Sequence, residues 1–189
     1  MLGLFRKKSF NEIDENQERL PIKSSSSEPR LPAKSPAVQE AVRYAKGTTI
    51  RYDEMLVDKL KGDHQELLSL FTEISDSAQK GDYRKCNDLL GRFKARLTDH
   101  LLNENVKLYV FLDCHMEADE MNATLVRSFR QEMDKIGKVV MDFLRRYQKL
   151  EVSENNVTEF SNELAGIGNV LVDRINREES TLYSMYEMV

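Results

Sequence analysis

Proline stops at Pro36. All four prolines lie at or before that position, and residues 48–189 contain none. A helix interior rejects proline, which lacks a backbone donor and clashes with the preceding turn. A long stretch without it, poor in glycine and rich in helix formers, restricts the fold to long helices. Ahead of the boundary the composition changes. Ser24 to Ser27 form a run among the prolines, so residues 1–35 read as a disordered tail. Ala37 to Lys46 predicts a short helix that Gly47 stops. The expected division is 1–47 as tail, with its helix at 37–46, and 48–189 as one folded domain.

Periodicity divides the second part into four helices. The first, from about Tyr52 to Gln79, presents Leu56, Leu60, His64, Leu67, Phe71, Ile74 and Ala78 on one stripe. Gly81 and Asp82 close it and cap the second, which runs to about Cys114 through Leu90, Phe93, Leu97, His100, Glu104, Leu108 and Phe111. The third starts near Asp119 and presents Leu125, Phe129, Met133, Ile136, Val140, Phe143 and Tyr147. The fourth starts near Asn156 and presents Val157, Phe160, Leu164, Ile167, Leu171, Arg174, Glu178, Leu182 and Met185. Alternating steps of three and four make each stripe a bundle seam. Short connections make neighbours antiparallel, so the expected fold is an all-α, up-down-up-down four-helix bundle.

Each stripe turns polar near its middle. His64 does so on the first helix, His100 and Glu104 on the second, and Arg174 and Glu178 on the fourth. Met133 holds the matching point of the third. In an antiparallel bundle the helix midpoints meet in one layer. Ionisable groups at core positions need partners, because unpaired buried charge is costly. Two of the helices share a frame. Leu97, Asp99, Glu104, Leu108 and Tyr109 return as Leu171, Asp173, Glu178, Leu182 and Tyr183, at a constant offset of 74 residues. The exchange within the frame is His100 for Arg174. A His and a Glu four residues apart share a helix face and can hold one metal. An Arg at the same place puts a fixed cation where a ligand stood.

These residues resemble the hemerythrin-type cation-binding bundles, whose halves each read His, then His-x-x-x-Glu. The resemblance covers roughly residues 52–187. It implies His64 as the first ligand and His100 with Glu104 as the second motif, intact. Met133 and Arg174 stand where the third and fourth histidines belong, with Glu178 retained. Two readings follow. His64, His100, Glu104 and Glu178 can hold one iron with positions open for O2 or water. A dinuclear site is not expected with both second-half histidines gone. Alternatively, Arg174 supplies the positive charge a metal once supplied and pairs Glu104 and Glu178, while Met133 fills space. The second reading is preferred, because a cation aimed into a cation site repels a metal ion. No cofactor is then expected, with iron, mono- or dinuclear, as the alternative.

A second, patchier resemblance is to the regulator of sigma D (AlgQ-type) family. Leu56, Val57 and Asp58 ahead of His64 carry it, together with Phe160, Leu164, Ile167, Gly168, Leu171, Arg174, Glu178 and Leu182. That family implies metal-free binding of a sigma factor. The preferred function is therefore a regulatory or signalling interaction rather than catalysis. The alternatives are an iron-binding sensor or carrier of O2, redox state or nitric oxide, and a sigma-factor-binding regulator.

Charge excludes more than it identifies. Residues 1–47 hold nine Lys and Arg against six Asp and Glu, and the remainder 19 against 26. The acidic body argues against a nucleic-acid partner, which needs a basic stripe. No apolar run reaches the length of a membrane span, and Met1 to Lys8 has the wrong charge order for a signal peptide. Cys86 and Cys114 fall on one helix, roughly 42 Å apart at 1.5 Å per residue, and cannot pair. A reduced, cytoplasmic protein is expected. His115 lies 15 residues past His100, too far along the helix to join the layer, and reads as a helix-end surface histidine.

Overall fold

The computed structural model describes residues 43–189, and the tail expected over 1–35 lies outside them. Helix α1 spans Leu56–Gln79 and α2 Tyr83–Asn103. A π-helical segment, Glu104–Tyr109, carries α2 on into α3, Val110–His115. Helix α4 spans Glu120–Leu150. Helix α5, Val157–Arg177, continues through a second π-helical segment, Glu178–Leu182, into α6, Tyr183–Glu187. The described residues thus form four long helices. Helix α1 packs on α2 and α5, and α4 packs on the same two. Sequence neighbours are spatial neighbours, which is the up-down-up-down bundle.

Local chemistry sets the helix ends. Gly81 takes φ of 74°, the left-handed value that ends a helix, and Asp82 then accepts from the Lys85 backbone N–H at 3.1 Å. Asp119 caps α4 by accepting from the N–H groups of Met121 and Asn122. The first helix begins at Leu56 rather than Tyr52, because Asp53 folds back to accept from Met55 N–H and Leu56 N–H in a turn.

The stripes bury largely as read, with Phe71, Ile136, Val157 and Ile167 only partly buried and one residue out of place. Leu125 is exposed, and Val126 is the buried residue. The step back from Phe129 is three residues there, not four. The helix expected over 37–46 falls mainly outside the described residues. Within them, Tyr44 bridges Arg51 across a turn in which Gly47 has φ of 74°. That turn lays Tyr52 against Tyr186, ring centroids 4.9 Å apart, and closes one end of the bundle.

The core has two apolar halves. One is built from Leu67, Ile74, Phe93, Leu97, Phe143 and Phe160 with their neighbours. The other is built from Leu56, Leu60, Leu108, Phe111, Phe129 and Tyr186 with theirs. Between the halves every helix contributes its mid-stripe residue, so the polar layer is a floor across the bundle.

Candidate functional site

Seven polar side chains are buried among the described residues: Asp63, His64, Ser77, His100, Glu104, Arg174 and Glu178. All except Ser77 belong to the central layer. The structure brings together His64, His100, Glu104 and Glu178, and sets Met133 and Arg174 beside them.

Both histidines face a carboxylate at the outer nitrogen, but only His64 is bonded there, and His100 Nδ1 has no hydrogen-bond partner. His64 Nδ1 meets Glu179 Oε1 at 2.8 Å, and His100 Nδ1 faces Asp63 Oδ2 at 3.8 Å. Each ring therefore presents Nε2 to the interior: His64 to Glu178 Oε2 at 3.4 Å, His100 to Glu104 Oε2 at 3.8 Å. The rings lie 4.7 Å apart. A carboxylate on the outer nitrogen is the usual way a protein orients a metal-binding imidazole. Asp63 is itself fixed by Arg96, whose guanidinium donates to it at 2.9 Å.

Arg174 dominates the other half. Its Nε donates to Glu178 Oε1 at 2.6 Å, one terminal nitrogen to Glu132 Oε2 at 2.9 Å, and the other to the Tyr109 hydroxyl at 2.9 Å. The guanidinium also lies over the Phe129 ring, 4.7 Å from its centroid. Glu132 shares its second oxygen with Arg177 at 2.7 Å. The expected pairing of Arg174 with Glu178 is present. Its expected pairing with Glu104 is not. Tyr183 serves Glu104 instead, donating to Oε1 at 3.0 Å while its oxygen lies 3.2 Å from His64 Nε2.

The charges sort accordingly. Burial lowers the affinity of His64 for a proton, but Glu178 and Glu179 outweigh burial and raise its pKa above the ordinary value. Burial, together with the neighbouring His64 charge, pushes His100 down to about 4, so it is neutral. Burial and Glu178 raise Glu104 well above its ordinary value, against the Tyr183 bond and Arg174. Burial acts to raise Glu178 too, yet His64 and Arg174 overcome it and keep Glu178 ionised. One anion, Glu178, is thus clamped between two cations.

Sequence reasoning missed Asp63, Glu132, Glu179, Tyr109 and Tyr183. Only the tyrosines carried a signal, since both belong to the repeated frame. His115 ends α3, half-buried and stacked on Phe111 at 4.0 Å, apart from the layer. Cys86 is buried, Cys114 is not, and both are free thiols.

One nitrogen each from His64 and His100 and one oxygen from Glu178 lie within 4.8 Å of one another, all buried. Glu104 Oε2 is buried beside them with no partner. This donor set fits one cation. It does not fit two, because Met133 offers no nitrogen and the second position holds the Arg174 guanidinium.

The hemerythrin HHE cation-binding domain model matches residues 55–186, and the chain belongs to that family. It is also similar to the regulator of sigma D of Yersinia enterocolitica, 27% identical over 130 residues, which cover 67% of this chain and 78% of that protein. No solved structure matches the chain. Among the described residues no helix is long and apolar enough to cross a membrane.

Proposed function

We propose that this domain is a hemerythrin-like binding module with a degenerate cation site, which regulates a cytoplasmic partner protein by binding rather than catalysis. The observation that carries the reading is the Arg174–Glu178 bond of 2.6 Å. The guanidinium spends all three of its nitrogens in the layer and supplies the charge that an ion would supply. His64, His100, Glu104 and Glu178 are then the remnant of the ligand set, with Arg174 and Met133 replacing the rest. The similarity to a regulator of sigma D makes a sigma factor the first partner to test. The experiment is gel filtration of the full chain with purified sigma factors, alongside elemental analysis of the chain alone. A stable one-to-one complex and an iron content near zero are expected. Absence of any complex with the sigma factors would remove that partner. One iron per chain would remove the ion-free layer.

A second reading is favoured by the two histidine–carboxylate pairs. In it His64, His100 and Glu178, with Glu104 beside them, hold a single iron, and the domain senses or carries O2, nitric oxide or redox state. The iron would supply the open coordination position. The protein would orient the His64 imidazole through Glu179, with Asp63 facing His100, and hold Glu178 through Arg174. A visible absorption band that changes with oxygen is the observation that would select it.

A further inference from the structure

A cavity of about 390 Å³ enters the bundle between α1 and α5 and ends on the polar layer. Thr72, Ser75, Ala165 and Asn169 surround its mouth, and Phe71, Phe93, Leu97 and Leu171 line its walls. His64, His100, Arg174 and Glu178 lie at its inner end. The volume falls at the lower end of the range for small-molecule sites, about 300–1,000 Å³. Gly168 helps to shape it. A Cβ there would lie 2.7 Å from the Phe71 ring, so only glycine lets that ring rest against the α5 backbone.

We propose that this cavity binds a neutral, mostly apolar organic molecule carrying one hydroxyl group, which enters head first and sets the hydroxyl against His100. The walls select the apolar body, whose burial supplies the affinity. The inner end selects the head. Every charge there is already matched: Arg174 by Glu178 and Glu132, and His64 by Glu178 and Glu179. An anionic head would face Glu178, a cationic head would face Arg174 and His64, and either would need an existing pair broken. A neutral head meets no such barrier.

It also meets an unfilled need. His100 Nε2 and Glu104 Oε2 lie 3.8 Å apart, beyond hydrogen-bond reach, and the Glu104 oxygen has no other partner. Buried polar atoms without partners are uncommon and costly. A hydroxyl both donates and accepts, so its oxygen can bond the imidazole of His100, which lines the cavity, whichever ring nitrogen carries the proton. A carbonyl can only accept, and an alkyl group can do neither.

The inference rests on the ion-free layer of the proposed function, and iron analysis of the same sample keeps the two apart. The experiment is calorimetric titration of the full chain, chelator-treated and as purified, with 1-octanol, octanoate and octylamine. One octanol per chain is expected, with the two ionic probes bound at least about tenfold more weakly, a threshold well below the loss a broken buried pair would cause. Leu97→Phe, which fills the wall, and Ala165→Trp, which closes the mouth, are each expected to weaken octanol binding by about tenfold or more. If Leu97→Phe fails to fold, Ala165→Trp decides. Octanol that does not bind overturns the proposal. So do an ionic probe that binds as well, and binding that Ala165→Trp leaves untouched. Iron in the purified chain with octanol binding after chelation would count against the ion-free layer but for the cavity.

Discussion

Glu104 and Glu178 each open a π-helical segment, at the same point of two helices 74 residues apart in sequence. The consequence lies five residues on. A π turn bonds i to i+5 and so stacks residues at that spacing, which an α-helix turns away from each other. Tyr109 and Tyr183 are therefore swung into the layer beside their own glutamates. There they cross over. Tyr109 accepts from Arg174 of the second half, and Tyr183 donates to Glu104 of the first. The two halves are tied by their tyrosines, and the layer is symmetric in its frame although its ligand residues are not.

Arg174 holds this layer against the cost of its own burial. Arg174→Ala takes one donor each from Glu178, Glu132 and Tyr109 at once, leaving Glu178 with His64 and Glu132 with Arg177. The expected loss is about 3–5 kcal/mol of stability, the range for a buried pair broken on one side. Arg174→Lys keeps the charge but not the three-way fork, and is expected to fall between the two. Urea unfolding followed by circular dichroism measures both. An alanine variant as stable as the parent would show that His64 alone suffices as the counter-charge of Glu178.

Tyr183→Phe removes the donor to Glu104 Oε1, whose second oxygen already has no partner. It leaves a fully buried carboxyl group unbonded, at a cost of about 1–3 kcal/mol. Tyr109→Phe strands one nitrogen of Arg174 in the same way. Because each tyrosine serves the opposite half, the double variant is expected to lose more than either single one. Thermal unfolding of the three proteins gives the comparison.

The seams were legible because apolar side chains recur in steps of three and four, and burial largely follows that pattern. The layer was legible where its members sit on the seam: His64, His100, Glu104, Arg174 and Glu178. Its remaining members were not, for two reasons. Tyr109 and Tyr183 reach it only through the π turns, which shift the helical phase without any local signal in composition. Asp63, Glu132 and Glu179 each stand one residue from a seam position, on the shoulder of the helix. A shoulder carboxylate ordinarily points to water. Here each is drawn in by a particular cation or imidazole, which a single helix pattern does not reveal. Leu125 shows the same limit, since a step of three in place of four handed its core position to Val126.

The two histidines are expected to titrate apart and to pull stability in opposite directions. His100, pushed down to about 4, stays neutral in the folded chain, whereas the unfolded chain takes up a proton there near pH 6.5. Its contribution is fully present above pH 6.5 and is lost as pH falls toward 4. His64 has a raised value, so its contribution is fully present below pH 6.5 and is lost as pH rises through that folded value. Stability should therefore peak in the mildly acidic range. His64→Gln is expected to remove the loss on the alkaline side, and His100→Gln the loss on the acid side. Carbon-13 shifts of the labelled imidazoles against pH read each group directly, and two curves with a shared midpoint would contradict the assignment.

On the proposed reading Met133 and Arg174 close a second cation position, and replacing both by histidine is expected to open it. Arg174→His removes the repelling charge and restores the His-x-x-x-Glu spacing with Glu178 on α5 and the π segment that follows it. It is expected to raise iron affinity over the parent, because Glu178 is freed from a 2.6 Å bond and gains a neutral neighbour. Met133→His in the same chain adds a nitrogen from α4, next to Glu132 and at the level where His64 lies on α1. The double variant should then hold two ions where Arg174→His alone holds one. The metal content of both proteins, loaded with ferrous iron under nitrogen and desalted, is the measurement. A double variant that folds but retains no more iron than the parent would show that Arg174 is not what keeps the second ion out.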